Sequence, residues 1–356
     1  MKNKMRITFL LSFFLAVVFS SCVYTQVEGN GNVVKEDRDV PSFTGLDVED
    51  GIDVILSQDN SHHVTVEADE NLLEILKTEV SGGVLKIYLE KNVWNRKTLK
   101  AYVTVKELSS ISVSGGGDVV AEQVINANEL EIDLSGGGDL DIRTRGESLK
   151  MEISGGGDAE MEVDARTMKY NLSGGGDLEL NFEGKTLAGS ISGGGDAEIA
   201  LSNKLDLMKL DISGGGDLEL SGSATDMNFS ISGGGDAEID AMEESGTINI
   251  DVGGGGNIEM SANVNALSLQ ISGGGNAQLA GSASSLKANC KSGSDLYAEE
   301  LKVEDADVTL SGGGDAKIHV TGTLNVSASG GGHVYVTGNP HIKEGNFTGG
   351  SKLHSE

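Results

Sequence analysis

Residues 130–142 read L-E-I-D-L-S-G-G-G-D-L-D-I, and this stretch decides the fold. Apolar and polar side chains alternate on both sides of the glycine triplet. An alternation with a period of two predicts β-strands that bury one face. The stretch is therefore predicted to form a strand, a glycine-rich corner and a second strand. The apolar positions are Leu130, Ile132, Leu134, Leu140 and Ile142.

The S-G-G-G-D string occurs eight times, and four variants bring the copies to twelve, spaced by 18–21 residues. A unit of this length cannot bury its own apolar face, whereas stacked units bury all of them. The sequence thus predicts an all-β fold, a single-chain parallel β-helix or β-solenoid of about 12 coils, and parallel crossovers favour right-handed coiling. The string ends at Asp118, Asp139, Asp158, Asp177, Asp196, Asp217, Asp236 and Asp315, and its variants end at Asn257, Asn276, Asp295 and His333.

A finer period doubles the unit. The residue after each motif alternates between large and small, as in Leu140, Ala159, Leu178 and Ala197. Large and small side chains in adjacent layers interdigitate without voids, so the unit is predicted to be a double coil of 38–40 residues. Cys290 falls in a column of apolar residues and is predicted to be a buried thiol.

The central glycine of the triplet is present in all twelve copies, whereas its neighbours are replaced once, by Ser292 and Ser294. We interpret this as a structural turn with a left-handed backbone or no space for a Cβ atom. Gly215→Val should then disturb the stack and Gly216→Ser should be mild. The central glycines are Gly116, Gly137, Gly156, Gly175, Gly194, Gly215, Gly234, Gly255, Gly274, Gly293, Gly313 and Gly331.

The ends of the chain depart from the repeat. Residues 42–112 are predicted to form a non-repetitive N-terminal cap with strands at 51–56 and 63–66, a helix from Asp69 to Lys77 and a hairpin from Val80 to Leu89. Residues 113–337 form the repeat solenoid, and residues 338–356 form a C-terminal cap or tail.

Residues 1–21 have the pattern of a secretory signal, with a basic start and an apolar stretch of 13 residues that is too short to span a bilayer. Cys22 follows small residues as in a bacterial lipobox, so lipidation of Cys22 is predicted. Residues 22–41 would then be a lipidated tether. The alternative is a secreted protein cleaved near Ser21.

The composition is acidic and glycine-rich, with 52 Gly, 2 Pro and a net charge of −29. A nucleic-acid binder is disfavoured because such proteins carry a basic surface. Residues 113–337 hold 37 acidic and 12 basic side chains, so most of the charge lies on the solenoid.

Two acidic columns stand out: the motif Asp and the residue two positions later. Residues i and i+2 share one strand face, so these columns should run side by side on the exterior. Clustered carboxylates could bind Ca²⁺ as a cofactor, or each Asp could instead accept hydrogen bonds from turn amides. The candidate metal residues are Asp139, Asp158, Glu160, Asp177, Glu179, Asp196, Glu198, Asp217, Glu219, Asp236 and Glu238.

Three stretches resemble the head GIN domain family of Bacteroidetes-type envelope proteins, which are also labelled auto-transporter adhesins. They are G-L-D-V-E-D-G-I-D-V-I-L-S-Q from residue 45, V-T-V-E-A-D-E-N-L-L-E-I-L-K-T-E-V-S-G-G-V-L-K-I-Y-L from residue 64, and T-G-N-P-H-I-K with T-G-G-S-K after residue 336. The resemblance covers about residues 42–353. It implies a β-helical fold, secretion and an adhesin-like role, and it supplies no catalytic residues.

No catalytic motif is recognisable, and the nearly uniform copies leave few insertions to wall a cleft. The sequence therefore favours a non-catalytic outer membrane lipoprotein, anchored by its N-terminal lipid. Its flank would bind a glycan, a host surface or an envelope protein. Two alternatives stay open, a self-associating envelope scaffold and a polysaccharide-active β-helix enzyme. The side of the outer membrane that the protein faces also stays open.

Overall fold

The computed structural model of the protein describes residues 26–355, except for the side chains of residues 242–244 and 344. This part of the chain is built from strands and contains one short 3₁₀ helix, Glu70–Leu72, and no α-helix. Within it, no helix has the length and apolar content that a membrane span needs. The N-terminal strands are β1 (Val27–Glu28), β2 (Val33–Arg38), β3 (Gly45–Val48), β4 (Asp53–Gln58), β5 (His63–Asp69), β6 (Leu76–Ser81), β7 (Val84–Leu89), β8 (Val93–Asn95) and β9 (Leu99–Val105).

The remaining strands form a rod, the name used here for β10–β29. Its first half contains β10 (Ser110–Val113), β11 (Val119–Ala121), β12 (Ile125–Asn126), β13 (Glu129–Leu134), β14 (Leu140–Ile153), β15 (Ala159–Leu172), β16 (Leu178–Ile191), β17 (Ala197–Leu201), β18 (Leu205–Ile212), β19 (Leu218–Ser221) and β20 (Ala224–Ile231). Its second half contains β21 (Ala237–Val252), β22 (Ile258–Ile271), β23 (Ala277–Lys291), β24 (Leu296–Gly312), β25 (Ala316–Val320), β26 (Thr323–Gly330), β27 (His333–Thr337), β28 (His341–Thr348) and β29 (Lys352–Ser355).

Successive coils of the rod pair in parallel, with equivalent residues side by side. Leu140 pairs with Ala159, which pairs with Leu178, which pairs with Ala197. The predicted β-solenoid is confirmed, and it has about 13 turns instead of 12. Strands β28 and β29 continue the stack beyond the last glycine motif.

The core is one continuous apolar cluster along the whole rod. Alternating strand residues point inward, and the large and small partners of adjacent coils fill one layer after another. Tyr170, for example, is fully buried and pairs with Gly189 of the next coil. Cys290 is fully buried as predicted, and this burial, with a smaller contribution from Asp295, raises the pKa of its thiol to about 12.

The steric interpretation of the central glycines is wrong. A Cβ atom on Gly215 would meet no atom within 4 Å, and the same is true of all twelve central positions. Eleven of these glycines have no positive φ, and only Gly293 has one, of 158°. The first and third glycines of the triplet are the crowded ones, because a Cβ on Gly214 or Gly216 would overlap a carbonyl oxygen of the preceding coil.

The corner at residues 291–295 shows how the flanking glycines can be replaced. In most corners the central glycine donates its N–H to the first glycine of the preceding coil, as Gly156 does to Gly136 at 2.9 Å. Gly293 instead donates to Lys291 of its own coil at 3.0 Å, and Ser294 Oγ donates to the same carbonyl at 2.9 Å. Ser292 takes up a positive φ of 66°. The serines therefore fit because Gly293 and Ser294 bond to Lys291 of their own coil and not to the preceding coil.

The N-terminal end does not follow chain order. The layer of β3 and β4 lies between the layer of β7 and β9 on one side and the first coil of the rod, β10 and β11, on the other. Antiparallel strands cover the outer edges: β5 pairs with β9, β2 pairs with β5, and β6 pairs with β7. Residues 33–38, predicted as part of a tether, thus belong to the cap, and residues 45–58 belong to the stack.

The helix predicted from Asp69 to Lys77 is wrong. Only Glu70–Leu72 is helical, and β6 starts at Leu76 and forms the predicted hairpin with β7 at Gly82 and Gly83. Leu72 and Leu76 are both buried, and Leu76 is the first residue of the hairpin. The Asp69 side chain makes no hydrogen bond to the short helix: its buried carboxylate accepts the N–H groups of Gly31 and Lys97 and holds the chain before β2 against the N-terminal cap.

The C-terminal end is open. Strand β28 pairs only with β26, and β29 pairs only with β27, so within residues 26–355 nothing pairs with their outer edges. Apolar side chains at this end are incompletely covered: Ile342 is 41 % exposed, and Phe347 and Leu353 are only partly buried. Within the described residues, the N-terminal end of the stack is therefore covered by antiparallel strands and the C-terminal end is not.

Candidate functional site: an acidic ribbon along the rod

The motif Asp residues form a continuous hydrogen-bonded column. Asp158 donates its backbone N–H to Oδ1 of Asp139 at 3.0 Å, and Asp177 donates to Oδ1 of Asp158 at 2.9 Å. The pattern extends from Asp53 of β4 to His333 in the last motif. Each carboxylate thus holds the backbone of the next coil. The members between these ends are bonded in the same way, at 2.7–3.2 Å.

This column accounts for the Asn variants of the motif. Asn257 and Asn276 accept the amide of the next coil through Oδ1 at 3.1 and 3.2 Å, as the Asp residues do. The turn-amide alternative from the sequence is close to this arrangement, although the amide belongs to the neighbouring coil and not to the same turn. Because the neutral amide Oδ1 of Asn accepts the same bond, a negative charge is not needed for it.

The second acidic column lies two residues further on, as predicted. Its members occupy equivalent register positions in adjacent coils and are exposed. They are Asp141, Glu160, Glu179, Glu198, Glu219, Glu238 and Glu259. Neighbouring strands are about 4.8 Å apart, so the two columns form a ribbon of closely spaced carboxylates. We call this surface the acidic ribbon.

A groove of about 670 Å³ runs along the acidic ribbon across successive coils. Its polar walls come from both columns, and the buried residues between them form its floor. The polar lining residues are Asp196, Glu198, Asp217, Glu219, Asp236, Glu238, Asn257, Glu259, Asn276, Gln278 and Tyr297. An elongated groove in which three successive coils present the same Asp and Glu pair suits an extended partner more than a compact one.

The second column loses its acidic side chains within the groove. After Glu259, the positions two residues beyond the motif are Gln278, Tyr297, Lys317 and Tyr335, and His354 pairs with Tyr335 in the last turn. The predicted acidic column ended at Glu259, and the repeat spacing alone is enough to extend it to these later positions. The ammonium group of Lys317 lies 5.2 Å from the centre of the Tyr297 ring, and the rings of Tyr335 and His354 stack at 4.8 Å.

The negative charge of the acidic ribbon affects the ionisation of the Tyr297 phenol. The Asp295 carboxylate, followed by burial, raises the pKa of the Tyr297 phenol above its ordinary value, and Asp315 and Glu299 act in the same direction. A field that disfavours a further negative charge favours cationic or uncharged hydrogen-bonding partners at this surface.

The predicted site residues stand as follows. All eleven candidate calcium ligands are exposed and lie on the acidic ribbon. Within residues 26–355, however, no group of three or more His, Cys, Asp or Glu side chains is arranged to hold a metal ion. Calcium binding stays a prediction. Cys22 and the signal sequence lie outside the described residues.

Neutralising the Glu column should stabilise the rod. Replacing Glu198, Glu219 and Glu238 with Gln removes like charges about 4.8 Å from their neighbours, where each pair repels by roughly 1 kcal/mol in water. We expect an increase of about 1–3 kcal/mol in the free energy of unfolding at low salt, shrinking in 0.5 M NaCl. Urea unfolding at the two salt concentrations measures it.

The matched control removes three exposed charges outside the ribbon, through Glu129→Gln, Asp206→Asn and Asp226→Asn. A general effect of net charge would stabilise both variants equally and would contradict repulsion within the column. Calorimetry with Ca²⁺ on the same proteins tests the metal: heat and a raised Tm with the natural protein, lost in the Glu variant, would support a calcium site. Absence of both at millimolar Ca²⁺ would end that hypothesis.

A regular β-solenoid with a capped N-terminal end and a repetitive acidic surface is the class of protein defined by these features. The family model described as "Putative auto-transporter adhesin, head GIN domain" matches residues 42–208, 183–245 and 237–340. The chain belongs to this family, as the sequence resemblance indicated. No curated protein matches the chain.

Several solved structures are similar to the chain. A "putative lipid binding protein" from Parabacteroides distasonis is 18 % identical with a TM-score of 0.29, over 93 % of this chain and 100 % of the other. A "putative adhesin" from Bacteroides fragilis is 14 % identical with a TM-score of 0.35, over 93 % and 100 %. A "putative adhesin" from Parabacteroides merdae is 17 % identical with a TM-score of 0.30, over 93 % and 99 %.

Proposed function

We propose that the protein is a non-enzymatic adhesin of the bacterial envelope, anchored in the outer membrane through a lipid on Cys22, and that the acidic ribbon is its binding surface. The observation that carries this proposal is the groove, which presents the same pair of acidic positions in successive coils. Membership of an adhesin family supports a binding role, and the signal-like N-terminus supports an envelope address.

The partner proposed for the ribbon is an extended molecule with repeating cationic or hydroxyl groups, such as a glycan chain or a segment of a host or envelope protein. Contacts repeated every coil add up along such a partner, so weak individual contacts give firm attachment. An enzyme would require a place where the repeat is broken by differently placed acids and bases. The ribbon keeps one pattern from coil to coil, which favours recognition over chemistry.

The binding test compares the natural protein with a ribbon variant in which Asp196, Asp217 and Asp236 become Asn and Glu198, Glu219 and Glu238 become Gln. The Asn substitutions keep Oδ1 as an acceptor, as Asn257 and Asn276 do, so the fold should be retained. We expect the natural rod to bind cells or a glycan array and the variant to lose most of this binding. Equal binding by both would rule out the ribbon as the surface.

The lipid anchor and the side of the membrane that the rod faces are tested separately from binding. Metabolic labelling with a fatty-acid analogue should mark the natural protein and not Cys22→Ala, and protease treatment of intact cells should degrade the rod if it faces outward. A protected rod would contradict surface adhesion and point to a structural task in the periplasm. Released sugars in a screen of envelope and host glycans would contradict the non-enzymatic assignment.

A further inference from the structure

We infer that the open C-terminal end of the rod is a docking surface for a second copy of this chain, joined end to end across a two-fold axis. The inference concerns β28 and β29 and the apolar residues Ile342, Phe347 and Leu353 at the end of the core. It adds a partner to the proposed adhesin, but the dimer itself depends only on the geometry of the rod.

The two ends of the stack differ in how their strand edges and apolar side chains are covered. At the N-terminal end the antiparallel strands β2, β5 and β6 close the stack, and Leu72 and Ile75 are buried beneath them at 0 % and 6 % exposure. Four of the six residues of the outer strand β2 are charged, which is a common protection of a sheet edge. The C-terminal end lacks such a cover in the described residues, and Ile342 is 41 % exposed there.

The second argument is hydrogen bonding. The outer edge of β28 offers the backbone groups of an eight-residue strand, and β29 offers those of four more. An unpaired edge of this kind is a template for another strand. When the same edge of a second copy approaches across a two-fold axis, the two β28 strands run antiparallel, and the pair is closed and does not grow into a fibre.

The third argument is charge. Residues 113–315 carry 37 acidic and 11 basic side chains, whereas residues 316–355 carry no Asp, one Glu, three Lys and four His. Two rods repel along their flanks, since residues 113–337 of each hold 37 acidic and 12 basic side chains. The C-terminal end is where two copies meet with the least repulsion, which favours contact between these ends over lateral association.

The consequence for the proposed function follows from the direction of the rod. The described chain begins at the capped end, so an end-to-end dimer places the two N-termini at opposite ends of a particle roughly 120 Å long, given about 13 turns of about 4.8 Å in each copy. If each copy is lipid-anchored as proposed, the dimer would bridge two membranes. A second copy on a facing cell would then be one partner of the adhesin.

The test uses the mature protein purified from cells that process it, with Ile342→Asp as the disrupting variant. Leu207→Asp is the matched control, because Leu207 is also 41 % exposed but lies on the flank in the middle of the rod. Sedimentation velocity should show a dimer for the natural protein and for Leu207→Asp. Ile342→Asp should weaken it by about tenfold or more, because a carboxylate enclosed without a partner is strongly disfavoured.

Geometry is tested by scattering and by disulfide trapping. Small-angle scattering should show a maximum dimension about twice that of the monomer. Single cysteines at Lys343, Asn346 and Thr348, introduced one at a time, should cross-link to their own copy most efficiently at one position, the one nearest the two-fold axis. Leu207→Cys should not cross-link. The native Cys290 is buried and does not interfere.

Three results would overturn the inference: a monomer at tens of micromolar, a dimer that survives Ile342→Asp with unchanged Tm, or a compact dimer trapped through Leu207→Cys. None of these would affect binding by the acidic ribbon, which is measured with the ribbon variant. Conversely, the protein could dimerise and still be protected from protease on intact cells. That result would support the dimer and refute surface adhesion.

Discussion

Gly216→Ala is expected to lower the free energy of unfolding by about 3 kcal/mol, whereas Gly215→Ala is expected to be neutral or to stabilise by up to about 1 kcal/mol. A Cβ atom on Gly216 would overlap the carbonyl oxygen of Gly195 in the preceding coil and would press on Cγ2 of Ile191. Relief would require two coils to move apart and lose their ladder bonds. A Cβ atom on Gly215 meets no atom within 4 Å.

Each variant adds one methyl group, and the two positions are adjacent, so each variant is a control for the other. Urea unfolding followed by far-UV circular dichroism gives the free energies, and the Tm of Gly216→Ala should fall by roughly 5 °C or more. Equal losses for the two variants would mean that the central glycine is held by something other than space around its Cβ, and would restore the interpretation drawn from the sequence.

Gly189→Ala is expected to cost about 3 kcal/mol in the natural protein and much less when Tyr170 is replaced by Leu. Tyr170 and Gly189 are direct neighbours in adjacent coils, and a Cβ atom on Gly189 would overlap the Tyr170 ring. The ring is 1 % exposed and enclosed by the core, so it has no free space to enter. The glycine makes room for the tyrosine.

A double-mutant cycle measures this coupling. Tyr170→Leu alone should destabilise because it leaves a cavity where the ring was, and the double variant should be more stable than the sum of the two single effects by about 1–3 kcal/mol. Strictly additive effects would show that the ring moves aside freely. Ala188→Gly is a suitable control, since the neighbouring residue Ala188 pairs with Lys169 and not with Tyr170.

The repeat made most of the fold predictable. Alternating residues such as Leu130 and Ile132 specify which face of each strand is buried, and the 18–21-residue spacing specifies how coils align. The role of each glycine was not predictable, because comparing copies shows which residue never changes but not which neighbour approaches it. The central glycine never changes, and nothing in the packing around its Cβ explains why.

The N-terminal end was harder for a different reason. Leu72, Leu73 and Leu76 have helical spacing, but Leu76 is the first residue of β6, which pairs with β7 in a hairpin. Tertiary packing overrides local spacing in such a short segment. At the acidic ribbon, spacing correctly predicted two exposed columns. It did not reveal that Oδ1 of each Asp is bonded to the next coil.

The placement of β3 and β4 between two layers has a consequence for how the molecule is assembled. These strands are synthesised early, and each offers one edge to the closing layer and the other to the first coil. Once β9 has paired, only one direction remains for growth, so later coils add vectorially as the chain emerges. Duplication of a double coil would lengthen the rod towards its C-terminal end and leave the N-terminal layers unchanged.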